Sequence, residues 1–288
     1  MSEIVINAQN LSKNFYNFDS RLPFIKRFLK RNQITIRAVQ DISFTIKRGS
    51  IVGFIGSNGA GKSTTIKMLT GTLYPSSGKL EVNGEIPFKR SINFRKKISI
   101  VVGNKLQLFQ DVSAMDYFRL IGTLYEVEPA ILQERIQELS NLLNVKDQLY
   151  QQVRTLSLGQ KMKMEFIAAS LTSPEILFLD EPTIGLDIQS KKDIRTFLKK
   201  MNEECHTTII LTSHDMDDIS SVCDELIVID KGKIILQESM DVILSKFSDF
   251  KYLKIKMTLD LVPELCSVKG VVVISQTKSE CILKIPRD

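Results

Sequence analysis

The sequence predicts an α/β fold: a buried parallel sheet carrying a P-loop, with a strand-rich layer on its N-terminal side and a helical segment spliced into it. Three observations carry that prediction. Gly56-Ser57-Asn58-Gly59-Ala60-Gly61-Lys62-Ser63-Thr64 fits the pattern G-x-x-x-x-G-K-[ST], with an apolar strand, Ile51-Val52-Gly53-Phe54-Ile55, before it and helical residues 63–69 after it. Ile176-Leu177-Phe178-Leu179-Asp180-Glu181 is a short apolar run ending in two carboxylates, as expected of a buried parallel strand whose C-terminal tip faces a ligand. Residues 1–16 and 34–102 are rich in strand patterns, whereas 105–155 turn helical.

The first of these features sets the chemistry. Glycines let the backbone turn tightly and bring bare N–H groups to phosphate oxygens. The following helix N-terminus adds about half a positive charge beside the β-phosphate. Lys62 is placed to reach the β- and γ-phosphates, and the Ser63 hydroxyl to ligate Mg²⁺. Asp180 would hold Mg²⁺ through water, and Glu181 would orient or deprotonate an attacking water. An acidic pair after a strand is, taken alone, an ordinary helix cap. The P-loop upstream favours the catalytic reading.

Composition removes other classes. Of 288 residues, 43% are hydrophobic and 25% charged, which is ordinary for a soluble globular chain long enough for one large domain and a smaller one. No apolar run approaches the ~20 residues of a membrane-spanning helix, and Met1-Ser2-Glu3 opens no signal peptide, so the expected compartment is the cytosol. Cys205, Cys223, Cys266 and Cys281 show no metal-ligand spacing, and two histidines are too few for a His-rich metal site. A net charge of +6 permits an anionic partner without naming one.

Along the chain, turn signals fall at Lys47-Arg48-Gly49, Pro75-Ser76-Ser77-Gly78 and Asn83-Gly84, the last a hairpin signal. Phe118, Ile121 and Tyr125 recur at helical spacing, as do Leu132, Ile136, Leu139 and Leu143. Residues 156–237 return to α/β order and end in a hairpin over 227–236. Residues 239–288, with strand-like runs at 252–257, 271–275 and 281–285, read as a small C-terminal α+β appendage. Residues 17–35 interrupt the link between the first two strands. Plotted as a helix, they put Leu22, Phe24, Ile25, Phe28 and Leu29 on one side and Lys26, Arg27, Lys30 and Arg31 on the other. Such a segment lies on an anionic lipid surface or packs on its own domain.

Leu156-Ser157-Leu158-Gly159-Gln160 precedes a run, 162–171, that reads as a buried helix, so Ser157 and the Gly159 N–H sit at a ready anion site. Placed between the P-loop and Asp180-Glu181, this run resembles the signature Leu-Ser-Gly-Gly-Gln of the ATP-binding subunits of ABC transporters. Leucine stands at 158 in place of the first glycine, and Gly159 keeps the second. Ile184-Gly185-Leu186-Asp187 is similar to the family's D-loop, and Thr212-Ser213-His214-Asp215 to its switch histidine. The resemblance covers about residues 3–238. It implies a P-loop NTPase fold of the ABC type, with an antiparallel β subdomain, a RecA-like core and, at about 105–155, a helical subdomain that meets a membrane partner.

What the resemblance implies for the site follows residue by residue. ATP and Mg²⁺ would bind at 56–64, with Glu181 and His214 catalytic and Ser63 and Asp180 at the metal. Ser157, Gly159 and Gln160 would act on the ATP of a partner chain, and Asp187 would cross the interface of a homodimer or heterodimer. Phe15, or equally Tyr16, would stack on adenine. Counting back from Leu108-Phe109 puts Asn104 where the family has a metal-contacting glutamine, with Gln107 as the alternative. The implied setting is the cytoplasmic face of the cell membrane, reached through an integral-membrane permease. The motifs look most like an export-type branch that includes viologen-exporter-like ATPases. An importer ATPase is the alternative, and a soluble ATPase acting on ribosomes or DNA a further one, although one P-loop and no sustained heptads argue against the latter. No nucleic-acid partner is expected.

Overall fold

The computed structural model describes residues 3–18, 33–248, 250–256, 272–276 and 280–286, in two compact units that meet in sequence at Gln237 and Glu238. In the first unit, β1 (Ile4–Phe18) pairs antiparallel with both β2 (Gln33–Lys47) and β4 (Ser77–Val82), giving the order β2-β1-β4. Burial alternates along β2: Ile42, Phe44 and Ile46 point inward while Asp41, Ser43 and Thr45 face out. That period of two is what a sheet solvated on one face requires. Phe44 meets Phe54 edge-on at 5.4 Å and so joins this layer to the central sheet.

The central sheet has the order β5-β6-β7-β3-β8-β9. Its strands are β3 (Ile51–Ile55), β5 (Ile98–Val102), β6 (Ile176–Asp180), β7 (Thr208–Ser213), β8 (Glu225–Asp230) and β9 (Lys233–Ser239). The first five of these are mutually parallel, and β3, β6 and β7 are buried almost throughout, because helices cover both faces. Helix α1 (Lys62–Leu69) follows β3, and the short α2 (Ile92–Lys97) leads into β5.

Between β5 and β6 the chain makes α3 (Ala114–Leu124), α4 (Pro129–Leu142) and α5 (Leu158–Ser170). Ser113 caps α3 by accepting from Asp116 N, and Glu128 caps α4, whose first residue is Pro129. The α4 stripe Leu132, Ile136, Leu139 is buried, and Phe118 of α3 is fully so. Helix α6 (Ile188–Cys205) packs on α5 through a buried Lys163–Asp193 pair at 2.6 Å, and α7 (Met216–Val222) follows β7. Among the described residues no helix is long and apolar enough to cross a membrane.

The second unit holds α8 (Met240–Ser248) and an antiparallel sheet of β10 (Phe250–Lys256), β12 (Glu280–Pro286) and β11 (Val272–Gln276), in that order. Its middle strand buries Cys281 and Leu283.

One expectation needs correcting. Both ends of the segment 17–35 are strand: Asn17 pairs with Ile34 and Phe18 with Gln33, so the β1–β2 ladder runs on. Extending the ladder satisfies backbone donors and acceptors that a helix boundary at 17 leaves open. The rest of the expected amphipathic helix, including its four basic residues, lies outside the described residues.

Arg48, in the turn between β2 and β3, ties distant parts of the first unit together. Its Nε donates to Glu3 at 2.8 Å, Nη1 to Glu175 at 2.6 Å and Nη2 to Asn83 at 2.8 Å. These bonds to Glu3 and Glu175 raise the guanidinium pKa further above its ordinary value. Arg48→Met keeps the apolar stem and loses these bonds together with a longer one, 3.4 Å, from Nη2 to Glu3. It should lower stability by about 1–3 kcal/mol in urea unfolding and leave ATP affinity unchanged.

Candidate functional site

Parallel register brings the predicted stations to one edge of the sheet. The carboxyl ends of β5, β6, β7 and β3 are neighbours, with Val102 opposite Asp180, Asp180 opposite Thr212 and Ile55 opposite Ser213. The P-loop therefore leaves β3 beside Asp180-Glu181 from β6 and His214 from β7, where α/β sheets bind ligands.

Gly61 sits at φ +112°, and a Cβ there would fall 2.6 Å from the Ala38 carbonyl oxygen of β2. It stands at the N-cap of α1 with no side-chain cap, so the first amides of that helix face the loop without a side-chain partner. Lys62, only 6% exposed, donates to the carbonyls of Gly56 at 2.7 Å and Ser57 at 3.3 Å. Its ammonium is 3.5 Å from Glu181 Oε1. Ser63 Oγ donates to Asp180 Oδ1 at 2.8 Å.

Glu181, the residue after β6, lies in the left-handed region, at φ +51°. Its N–H donates to Thr212 Oγ1 at 3.0 Å, and that hydroxyl in turn donates to Asp180 Oδ1 at 2.7 Å. Glu181 Oε2 lies 2.7 Å from His214 Nδ1. The resulting cleft, ≈ 410 Å³, is lined by residues 58–64 with Asn104, Glu181, Ile184 and His214. That volume lies within the about 300–1,000 Å³ of small-molecule sites.

The alternatives left by the sequence sort themselves by position. Asn104 lines this cleft, whereas the Gln107 side chain donates to the Ile100 carbonyl at 3.0 Å and faces a different cleft. Phe15 and Tyr16 are 40% and 59% exposed, so neither is a core aromatic, and neither lines the P-loop cleft. Phe15 pairs across the ladder with exposed Ile36 and has Lys13 5.3 Å from its ring centroid.

Ser157, Gly159 and Gln160 lie away from the cleft. Ser157 is the N-cap of α5: its Oγ accepts from Gln160 N at 3.2 Å, and Gln160 Oε1 accepts from Ser157 N at 2.9 Å. The Gln160 amide is thus occupied in a capping box. Gly159 is buried where a Cβ would fall 2.3 Å from Ser190 Oγ and 3.1 Å from Asp187 Oδ2, so a side chain at 159 must displace the Ser190 hydroxyl and disturb the cap of α6. Leu158 beside it is 45% exposed. Asp187 caps α6 by accepting from Ser190 N and Oγ, at 2.8 and 2.7 Å, and the hydroxyl bond leads in holding its carboxyl below the usual carboxylate range.

Comparison with known proteins agrees with this geometry. Residues 39–184 match the ABC transporter family. The chain is 32% identical over 216 residues to the ABC transporter ATP-binding protein NatA of Bacillus subtilis, covering 75% of this chain and 87% of that protein. The chain belongs to the ABC transporter ATP-binding family. Another relative is the linearmycin resistance ATP-binding protein LnrL of Bacillus subtilis, 34% identical over 68% of this chain and 63% of its own length. Among solved structures, cbiO1 of Clostridium perfringens, part of the ABC transporter complex cbiONQ, superposes with TM-score 0.69 at 26% identity, covering 85% of this chain and 92% of that one. As an ABC ATPase, the chain binds ATP and hydrolyses it.

Sequence reasoning missed Gly103 and gave no role at this cleft to Thr212 or Ile184, although both lie in the runs 212–215 and 184–187. Nothing in the local pattern marks Thr212, and only register shows that its hydroxyl joins Asp180 to Glu181 N. Gly103 N donates to the Asp180 carbonyl at 2.9 Å, and a Cβ at 103 would collide with the Glu181 carbonyl oxygen at 1.9 Å. Thr212→Val preserves shape and removes the bridging hydroxyl. It should leave ATP affinity near wild type and lower kcat about ten- to a hundredfold, as misplacement of a reacting group does. Steady-state ATPase assays with a thermal melt check this, and an unchanged kcat would remove Thr212 from the site.

Proposed function

We propose that this chain is the ATP-hydrolysing subunit of an export-type ABC transporter. Two copies bind two ATP head to tail on the cytoplasmic face of the membrane and drive a separate permease. The observation that carries the reading is a division of labour. Lys62, Ser63, Glu181 and His214 line one cleft, with Asp180 bonded to Ser63 behind it, whereas Ser157 and Gly159 do not line it. A second copy of the chain supplies what the first cleft lacks.

In this reading the uncapped start of α1 and the P-loop amides take the phosphates, and Lys62 trades its loop carbonyls for phosphate oxygens. Glu181 orients the attacking water, and His214 holds the Glu181 carboxylate through Nδ1. Ser63 and Asp180 offer hard oxygens 2.8 Å apart, which suits Mg²⁺, with Asn104 at the edge of the same cleft. When bound, Mg²⁺ supplies charge neutralisation at the phosphates. Exposed Phe15 offers a face for adenine. The permease docks in an open cleft lined by Arg90, Arg95, Tyr117, Tyr125 and Glu165, between the sheet and the helical segment. The resistance function in LnrL's name supports export.

Glu181→Gln should abolish turnover, keep ATP affinity and accumulate an ATP-bound dimer in gel filtration. Wild-type turnover would sink the assignment. The composite site has its own test. Ser157→Asp keeps a good N-cap while adding a charge that repels the partner's γ-phosphate, and Lys62→Ala weakens the phosphate site. Each variant alone should be inactive. Their mixture should regain turnover, because each mixed dimer keeps one site with both intact halves. An inactive mixture that still forms mixed dimers would contradict the head-to-tail arrangement. For direction, the co-purifying multispanning subunit is placed in inside-out vesicles with a compound that stimulates the ATPase. An exporter accumulates that compound with ATP, and an importer releases it.

A further inference from the structure

The strongest unassigned group is a buried carboxylate midway along α5. Glu165 is 5% exposed, and among the described residues it has no cationic partner. One oxygen, Oε1, accepts from two consecutive backbone amides, Gln107 N and Leu108 N, the latter at 2.9 Å. Burying a carboxylate without a counter-charge is costly, and two amides offset only part of that cost. Burial accordingly pushes the Glu165 pKa up, against the pull of the Leu108 and Gln107 amides. A fold needing only packing here gains more from an apolar side chain.

What this oxygen holds is the loop that carries Asn104. At its start, Gly103 N donates to the Asp180 carbonyl, and the glycine is pressed against the Glu181 carbonyl. At its far end, Glu165 fixes Gln107 and Leu108, and Leu108 is buried. Asn104 is suspended between these anchors, facing the P-loop. The helix that holds the far anchor also begins at Ser157, about 12 Å away at 1.5 Å per residue. Glu165 itself lines the second cleft, beside Tyr117 and Tyr125 of the helical segment.

We propose that Glu165 is a positioning residue: it fixes the 103–108 loop so that Asn104 meets the bound nucleotide, and it thereby links the P-loop cleft to the cleft facing the helical segment. This rests on the reading of Asn104 as a nucleotide-side group.

The test uses the full chain with Mg-ATP in four forms: wild type, Glu165→Ala, Asn104→Ala and the double variant. Glu165→Ala should lower kcat about ten- to a hundredfold. ATP affinity, read by titrating a fluorescent analogue, should stay within about twofold, since the P-loop contacts are untouched. Hydrogen exchange should show lost protection over 103–108. Glu165→Gln, whose carbonyl oxygen still accepts both amides, should restore most of the rate. In the Asn104→Ala background, Glu165→Ala should cost nothing further, because coupled residues are non-additive. Losses that multiply in the double variant overturn the proposal, and so does a wild-type rate in Glu165→Ala while Asn104→Ala is impaired, which leaves the Asn104 reading standing. A wild-type rate in Asn104→Ala overturns that reading instead, and with it the route proposed for Glu165. Should Glu165→Ala fail to fold, Glu165→Asp takes its place, its arm too short by one methylene to reach both amides.

Discussion

One carboxylate oxygen, Asp180 Oδ1, receives hydroxyls from the head of α1 and from the middle of the sheet. Ser63 and Thr212 both donate to it, so the P-loop helix cannot shift relative to β6 and β7 without breaking one of these part-buried bonds. Because Thr212 Oγ1 also accepts from Glu181 N, the same network fixes where the Glu181 side chain begins. A left-handed conformation at a non-glycine residue such as Glu181 costs of order 1–2 kcal/mol. The amide bonds to Thr212 and the contacts of its carboxylate with Lys62 and His214 hold it there. Strain and charge thus coincide at Glu181, in the wall of the P-loop cleft.

Around that point the chain relies on close approach. Gly103 lets the loop after β5 lie directly on the Glu181 backbone, and Gly159 lets the start of α5 lie on Ser190 of α6. Neither spot has room for a Cβ, so movement in either loop must be shared with its neighbour. The buried Lys163–Asp193 pair holds α5 to α6 further along. A pair so desolvated is weak evidence for stability, but removing either partner alone strands a charge, so it defines register between the two helices.

Contiguous chemistry was legible in the sequence and assembled chemistry was not. The P-loop, Asp180-Glu181 and the buried strands before them could be read because glycine, apolar and acidic residues follow one another at fixed spacing. The order of the sheet, in which β3 lies between β7 and β8, leaves no trace in local pattern. Thr212 and Glu165 act across that order, and a threonine in a strand or a glutamate in a helix carries no sign of its partner. Counting residues left Asn104 and Gln107 open, since both carry an amide. In the fold the Gln107 amide donates to a backbone carbonyl of its own and Asn104 lines the P-loop cleft. Periodicity at 17–35 suggested a helix, but tertiary pairing takes the ends into the ladder, because a pattern of apolar and basic residues does not register how far a neighbouring strand extends.

The two anion-seeking helix starts differ in a way that bears on assembly. At α1 the N-cap is Gly61, which offers no side chain, so the amides there depend on an anion or water for their bonds. At α5 the Ser157 oxygen already serves Gln160 N, and Gln160 in return serves Ser157 N. That start is stable without a ligand. The hydroxyl proton, however, is not spent by accepting, and among the described residues it has no acceptor. At the first start a phosphate would satisfy amides that no side chain caps. The second is held in a fixed orientation with one donor to spare, which is compatible with the role proposed for it toward a second copy. In the proposed head-to-tail dimer the two starts would differ accordingly: α1 calls for a phosphate, whereas α5 already carries its own cap.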